Sequence, residues 1–192
     1  MAIVKWGLNN ANALVPNGTA SNVTWVDKSN AGSFNGSNSF INMNTLDEND
    51  NPFSLICFIK TTSSNNQMIM KQLGSSFAYM FWFSSSDNKI RFDCINNASN
   101  GLAVIDTIAD NYKRIGVTYD SKSASVKIYI NVAVITNTIL NSLTGSVSNS
   151  ANFNIGSRNN NLPVNLVDEC IKWNTALTPA EVKNDYLFYN FI

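Results

Sequence analysis

Apolar and polar side chains alternate with a period of two in one segment of this chain after another. The most regular run is Asn111 to Val134, NYKRIGVTYDSKSASVKIYINVAV. Ile115, Val117 and Tyr119 alternate with Arg114, Gly116 and Thr118; after a polar break, Val126, Ile128 and Ile130 alternate with Lys127 and Tyr129. A two-residue period sends successive side chains to opposite faces, so the run predicts two half-buried strands. The break from Asp120 to Ser125 has no long apolar side chain and reads as a hairpin loop longer than the tight two-residue kind.

The flanking segments repeat the pattern. Ala2 to Leu8 and Val23 to Val26 read as short strands, and Asn9 to Asn22, rich in Asn with Gly and Pro16, as loop. In Ala31 to Met43, Phe34 and Phe40 stand either side of an Asn-Gly turn, and Thr45 to Pro52 is an acidic loop. Phe53 to Thr61, FSLICFIKT, is apolar on both faces, which predicts the middle strand of a sheet covered on both sides. Gln67 to Lys71 and Ala78 to Phe83 form the next expected pair, joined through Gly74; Lys89 to Ile95 and Leu102 to Ile108 follow, with Asn96 to Gly101 read as loop. The one convincing helix comes near the end. Thr178 caps it, Pro179 takes the first helical position and Glu181 closes a Thr-x-x-Glu capping box, with the helix running to about Leu187.

Short strands at this spacing predict an all-β fold, a two-sheet antiparallel sandwich with one short C-terminal helix. Residues 1–192 are expected to form a single domain. Phe58, Ile115, Val117, Ile128 and Ile171 are expected in its core.

Composition then narrows the chemistry. Charged residues make up 14% of the chain and the formal net charge is +0, so no field is available to attract nucleic acid or anionic lipid. Asn and Ser supply the polarity instead. No apolar run approaches the length of a membrane span, and Met1 to Trp6 does not have the pattern of a secretory leader, so neither is expected. The chain has no histidine, which removes the commonest general base and the commonest zinc ligand together. Cys57, Cys94 and Cys170 are an odd number in apolar, strand-like surroundings and read as buried reduced thiols without a pairing.

Four stretches, taken in order, resemble the laminin-G-like, concanavalin A-like jelly-roll superfamily: SFNGSNSFINM from Ser33, FSLICFIKT from Phe53, YKRIGVTYD through VKIYIN, and FNIGS through LVDECIKWNTALTPAEV. The resemblance implies a jelly-roll sandwich. It is carried at the end by Val167-Asp168-Glu169-Cys170, then Trp173, then Ala176-Leu177-Thr178-Pro179-Ala180-Glu181-Val182. The chain departs from the family pattern where relatives have Tyr-Val-Asp-Gly, reading Tyr129-Ile130-Asn131-Val132, and Asn35 and Asn38 stand where many relatives carry Asp. Amides keep oxygen ligands but lose the charge on which calcium affinity depends, so no metal and no cofactor is expected.

The superfamily includes glycosidases, which need two carboxyl groups facing one another about 5 Å apart in the retaining case. The chain has only Glu48, Glu169 and Glu181 as glutamates. Glu169 adjoins Asp168 and points to the opposite face, Glu48 lies in a loop and Glu181 serves as a cap, so no catalytic residue is expected. Asp168 and Glu169 are read as structural, with Asp168 accepting hydrogen bonds from loop backbone or Arg158; Thr178 and Glu181 are structural as the capping pair. Asp47, Glu48 and Asp50 read as a solvated acidic group. Tyr79, Phe81 and Phe83 share one strand face while Met80 and Trp82 share the other. One of these rows is a candidate for stacking on sugar rings, which makes Tyr79, Phe81, Trp82 and Phe83 the ligand-binding candidates. The apolar end, with Leu187, Phe188 and Phe191, either folds back on the sandwich or docks on a partner subunit.

The function expected from these features is that of a non-catalytic binding or structural module. Its setting is a bacteriophage virion surface, as a capsid decoration, head-fibre or tail-associated protein. Its partners are other virion proteins or further copies of itself, and host-surface glycans. The alternatives are a free carbohydrate-binding or adhesion module of a secreted, extracellular protein and, less favoured, a glycan-cleaving enzyme.

Overall fold

The computed structural model describes residues 2–6, 19–26, 31–35, 38–45, 51–60, 67–73, 77–84, 89–96, 99–100, 103–105, 113–120, 122–123, 125–131, 133–139, 152–156 and 166–190. Along them run β1 (Ala2–Trp6), β2 (Thr19–Ser21), β3 (Val23–Val26), β4 (Ala31–Phe34), β5 (Phe40–Thr45), β6 (Phe53–Lys60), β7 (Gln67–Leu73) and β8 (Phe77–Ser84). There follow β9 (Lys89–Asn96), β10 (Ser99–Asn100), β11 (Ala103–Ile105), β12 (Lys113–Asp120), β13 (Ser125–Ile130), β14 (Ala133–Ile139), β15 (Asn152–Gly156), β16 (Leu166–Trp173) and the helix α1 (Pro179–Asn190).

The strands form two antiparallel sheets. The first has the order β14-β13-β12-β6-β16-β4-β3, with β1 also pairing β16; the second has the order β10-β9-β8-β7-β15-β5-β2, with β11 also pairing β9. The doubly apolar β6 takes a central place in the first sheet, between β12 and β16, as its sequence demands. Phe53, Leu55, Cys57 and Ile59 point inward to the second sheet, whereas Ile56 points outward into a separate apolar cluster.

The β12–β13 ribbon is the register anchor. Ile115, Val117 and Tyr119 pair with Ile130, Ile128 and Val126, so like faces meet. In the loop between them, Asp120 accepts hydrogen bonds from the Lys122 N–H at 3.0 Å and the Ser123 hydroxyl at 2.7 Å. The Ser123 bond holds the Asp120 carboxyl below its usual range against the opposing effect of burial. Beyond β13 the chain turns on Asn131, whose φ of 55° is left-handed; Asn suits that conformation because its short amide bonds locally. Here the Asn131 N–H donates to the Arg114 carbonyl at 2.7 Å, and the Arg114 N–H donates to Asn131 Oδ1 at 3.3 Å.

The strand β16 is shared. Its first residues pair β4, its later ones pair β1, and β6 runs along its other side. Against β6 the register slips by one residue between Asp168 and Ile171, where Glu169 has a φ of 42°. That is a β-bulge, and it brings Cys170 back to the inward face beside Val167.

The space between the sheets is filled from both sides. The first sheet contributes Leu55, Ile115, Val117 and Ile128, and the second Ile41, Tyr79, Phe81, Phe92, Phe153 and Ile155, all fully buried. The rings of Phe53 and Tyr79 meet across the sandwich at 4.7 Å between centroids, and within the first sheet Phe53 lies 5.3 Å from its cross-strand partner Tyr119. Such tilted aromatic contacts add to the burial energy.

The outward face of the first sheet is sealed by the C-terminal segment. Ile56, Tyr129, Ile171, Trp173, Leu177 and Val182 form one apolar cluster there. Ser54, buried on that face, donates to the Thr175 carbonyl at 2.7 Å and accepts from the Leu177 N–H at 2.9 Å. Burial under this cover pushes the Tyr129 phenol up, moderated by the Thr118 hydroxyl.

Three expectations are corrected. Thr19–Ser21 and Ser99–Asn100, read as loop, are short strands β2 and β10, since backbone pairing at a sheet margin requires no apolar side chain. Phe34 and Phe40, expected either side of an Asn-Gly turn, stand in different sheets, β4 in the first and β5 in the second. Phe58 is half-buried rather than in the core, because it lies in the outward row of β6 with the Arg114 guanidinium over its ring. Finally α1 continues to Asn190, one turn beyond the expected end.

Candidate functional site

Along β8 the pleat turns Tyr79 and Phe81 inward, where both are fully buried, and sets Met80 and Trp82 outward. On the neighbouring β9, Ile90 and Phe92 are inward and Arg91 is in the opposite row. Trp82 and Arg91 are direct cross-strand partners, and the guanidinium carbon lies 5.6 Å from the indole centroid. Both side chains are half-buried, so this cation–π pair keeps part of its surface toward solvent.

One pleat step along β8, a cross-strand row of Cα partners runs Asn42, Asn154, Lys71, Met80 and Asp93 through β5, β15, β7, β8 and β9. Asn42 and Asn154 are half-exposed and Met80 nearly buried. The outward face of the second sheet thus combines a flat indole, a guanidinium beside it and amides further along. A flat apolar surface bordered by hydrogen-bond donors and acceptors matches a sugar ring, which has C–H faces and a hydroxyl rim. The two outward faces differ in kind, since α1, the only helix among the described residues, lies on the first sheet.

This geometry divides the four aromatic candidates. Tyr79 and Phe81 belong to the inter-sheet core and cannot be reached by a ligand, a correction that follows from the second sheet's inward face being the wall of the core. Trp82 is in the accessible row. The Phe83 side chain lies outside the described residues. Arg91 escaped the sequence reading; the alternation Ile90-Arg91-Phe92 carried the signal, but only the β8–β9 register puts it next to Trp82.

The carboxylates take other positions. Glu181 Oε2 accepts from the Thr178 N–H at 2.7 Å and hydroxyl at 2.8 Å, while the Glu181 N–H donates to Thr178 Oγ1 at 3.3 Å. These bonds, the Thr178 N–H first, hold the Glu181 carboxyl below its usual range. Glu169 is on the β16 bulge and half-buried. Asp168 is the Cα partner of Phe58; its side chain, Arg158 and the group Asp47, Glu48 and Asp50 lie outside the described residues. Among the described residues no group of three or more His, Cys, Asp or Glu could hold a metal ion.

Asn35 and Asn38 bond to one another instead. Asn35 Oδ1 accepts from the N–H groups of Asn38 at 3.1 Å and Ser39 at 3.2 Å, and its Nδ2 donates to Asn38 Oδ1 at 2.8 Å. At the chain's end, Leu187 is 38% exposed on α1. The Phe188 side chain and all of Phe191 lie outside the described residues.

The profile of the concanavalin A-like lectin/glucanases superfamily matches residues 16–183. No curated protein sequence matches the chain significantly. Among solved structures, the binding domain of botulinum neurotoxin serotype G is similar with a TM-score of 0.78 at 17% identity, over 98% of this chain and 51% of that one. The ligand-binding domain of botulinum neurotoxin serotype D, in complex with N-acetylneuraminic acid, gives 0.79 at 14% identity, over 97% of this chain and 50% of that one. The sialidase of Trypanosoma rangeli gives 0.72 at 10% identity, over 97% of this chain and 32% of the enzyme. The chain therefore spans about half of the toxin domains and a third of the sialidase, and at these identities the likeness is one of fold.

Proposed function

Since the chain belongs to the concanavalin A-like lectin/glucanase superfamily, we propose that it is a non-catalytic binding module that recognises surface glycans through the outward face of its second sheet. The observation that carries this reading is the Trp82–Arg91 pair, half-exposed on a sheet face, while the opposite outward face is closed by α1. Stacking on the indole supplies affinity, and the guanidinium and the amides of Asn42 and Asn154 supply hydrogen bonds that orient the ring. The serotype D ligand-binding domain, about half of which this chain matches, was solved in complex with N-acetylneuraminic acid, which supports a sugar as ligand class.

The carrier we propose is a bacteriophage virion, with the module on its surface bound to other virion proteins or to further copies of itself. The charge-poor, Asn- and Ser-rich composition supports that setting, as amides and hydroxyls solvate a particle surface without a strong field. A second reading, an adhesion module of a secreted or surface protein, is favoured by the toxin domains, in which a unit of this fold makes up about half of a larger binding domain.

The test is a glycan array followed by titration calorimetry on the best hit. Trp82→Ala is expected to weaken binding at least about tenfold, the loss of one stacking contact and its neighbours, with the melting temperature little changed. A glycan bound equally well by the variant, or no glycan bound at all, overturns the reading.

A further inference from the structure

Two of the three cysteines lie on neighbouring strands inside the sandwich. Cys57 on β6 and Cys170 on β16 are both fully buried in the inter-sheet core, and both carry thiols. Their strands are antiparallel neighbours. The register runs Asp168 with Phe58 and then Ile171 with Ile56, so Cys57 faces the bulged pair Glu169–Cys170. The left-handed Glu169 absorbs the extra residue, and Cys170 therefore points to the same inward side as Cys57.

Opposed residues of antiparallel strands have Cα atoms about 4.5–5.5 Å apart. A disulfide needs about 4.4–6.8 Å, so the bond can close without moving either strand far. The third cysteine is differently placed. Cys94 stands on β9 of the second sheet as the Cα partner of Tyr79, and facing sheets lie about 10 Å apart, beyond the roughly 7 Å limit for bridging.

We propose that Cys57 and Cys170 are a cross-strand disulfide site whose state is set when the chain folds. In oxidising surroundings a low-molecular-weight disulfide, such as glutathione disulfide, is the oxidant. One protein thiolate attacks it and releases a glutathione thiol; the second thiolate then displaces the other, forming the Cys57–Cys170 bond. Two protein thiols lose two protons and two electrons, and one glutathione disulfide becomes two glutathione thiols. Exchange requires an accessible thiolate. Burial of both sulfurs therefore shuts the oxidant out once β6 and β16 have paired, and a chain folded in reducing surroundings keeps both thiols. The bond ties the two strands across the bulge and closes a loop of more than a hundred residues, a length at which a cross-link restrains the unfolded chain strongly.

The full chain is refolded from denaturant in a glutathione redox buffer or in excess reductant, then alkylated, digested and mapped by mass spectrometry. The oxidised sample is expected to give a linked Cys57–Cys170 peptide with Cys94 alkylated, and a melting temperature several degrees above the reduced sample. Cys57→Ala and Cys170→Ala remove that difference, and Cys94→Ala keeps it. Protein folded in reductant and then transferred to the same redox buffer is expected to yield all three cysteines alkylated after denaturation. The absence of a linked peptide, a link to Cys94 or a lower melting temperature on oxidation overturns the pairing. Equally rapid oxidation of the folded protein overturns the sealing. The wild-type peptide map decides the pairing even if a variant fails to fold.

Discussion

Arg114 on β12 and Asp185 on α1 form a buried ion pair that pins the helix to the sheet. Arg114 Nε donates to Asp185 Oδ2 at 2.8 Å and Nη2 donates to the same oxygen, with the two side chains only 2% and 10% exposed. The guanidinium also lies 4.7 Å from the Phe58 centroid. Such pairs add little net stability against an apolar replacement, yet breaking one leaves a charge stranded out of water. Asp185→Ala is expected to cost about 3–5 kcal/mol in a urea titration. The double change Arg114→Met with Asp185→Leu is expected to cost clearly less. Equal losses in the two proteins would show that the ion pair is not what holds the helix.

Gly156 is irreplaceable for two separate reasons. Its φ is 104°, and a Cβ there would stand 2.5 Å from Phe34 Cε1 and 3.0 Å from the Ser39 carbonyl oxygen. Gly156→Ala is expected to lower stability by about 2–4 kcal/mol, combining backbone strain with overpacking. Gly116 is the control. Its added Cβ would meet Ile56 Cγ1, a side-chain atom, at 3.1 Å, and Gly116→Ala is expected to change stability by about 1 kcal/mol or less. Thermal melts of both variants check the contrast.

Calcium is expected to leave the melting temperature unchanged, and so is chelation. Asn35 Oδ1 is occupied by two backbone N–H groups and Asn131 Oδ1 by the Arg114 N–H. Asn35→Ala removes the acceptor from both N–H groups and is expected to cost about 1–3 kcal/mol. A rise of melting temperature with calcium, growing with its concentration, would contradict this.

Glu181 gives the helix cap a pH dependence. Its folded carboxyl titrates below the ordinary value of about 4.3, so the unfolded chain takes up the proton first. The cap's contribution is complete above that value and is lost as pH falls through the lower, folded one. Between pH 7 and pH 2 the stability advantage of the wild type over Glu181→Gln is therefore expected to shrink. Because the residue is exposed the effect is small, and parallel melts at several pH values are needed to read it. Thr178→Ala, which removes the capping oxygen itself, is expected to cost about 1 kcal/mol.

How far residues announce their places depends on how much of the decision is local. Ile128, Val117 and Ile115 are legible because alternation alone fixes their face, and the Thr178–Glu181 cap because its partners are three residues apart. The double apolarity of Phe53 to Ile59 correctly signals cover on both sides, but not that the outer cover is the chain's own last helix. Phe58 and Arg114 defeat the reading together: each is ordinary in sequence, and only the β6–β12 register stacks one on the other. The candidate site is half legible for the same reason. The sequence shows two aromatic rows on β8, and nothing short of the second sheet's position says that Tyr79 and Phe81 face the core while Trp82 does not. Arg91 enters only through the pairing of β8 with β9, and the shared inward side of Cys57 and Cys170 only through a bulge.

The pairing of β1 with β16 has a mechanical consequence. Ala2 stands opposite Trp173 and Trp6 opposite Cys170 in antiparallel register, so the leading end of β1 and the trailing end of β16 lie side by side. A load applied between residue 2 and the end of α1 first tests the Arg114–Asp185 contact and the Ser54 bonds that hold the C-terminal segment down. Once these yield, the load meets the β1–β16 ladder at its open end and parts its hydrogen bonds one at a time, like a zipper, instead of shearing them all at once. Tension drawn along this path strips the first strand at low force and leaves the interleaved β6, β12 and β13 standing, so that the sandwich lengthens in stages before it fails.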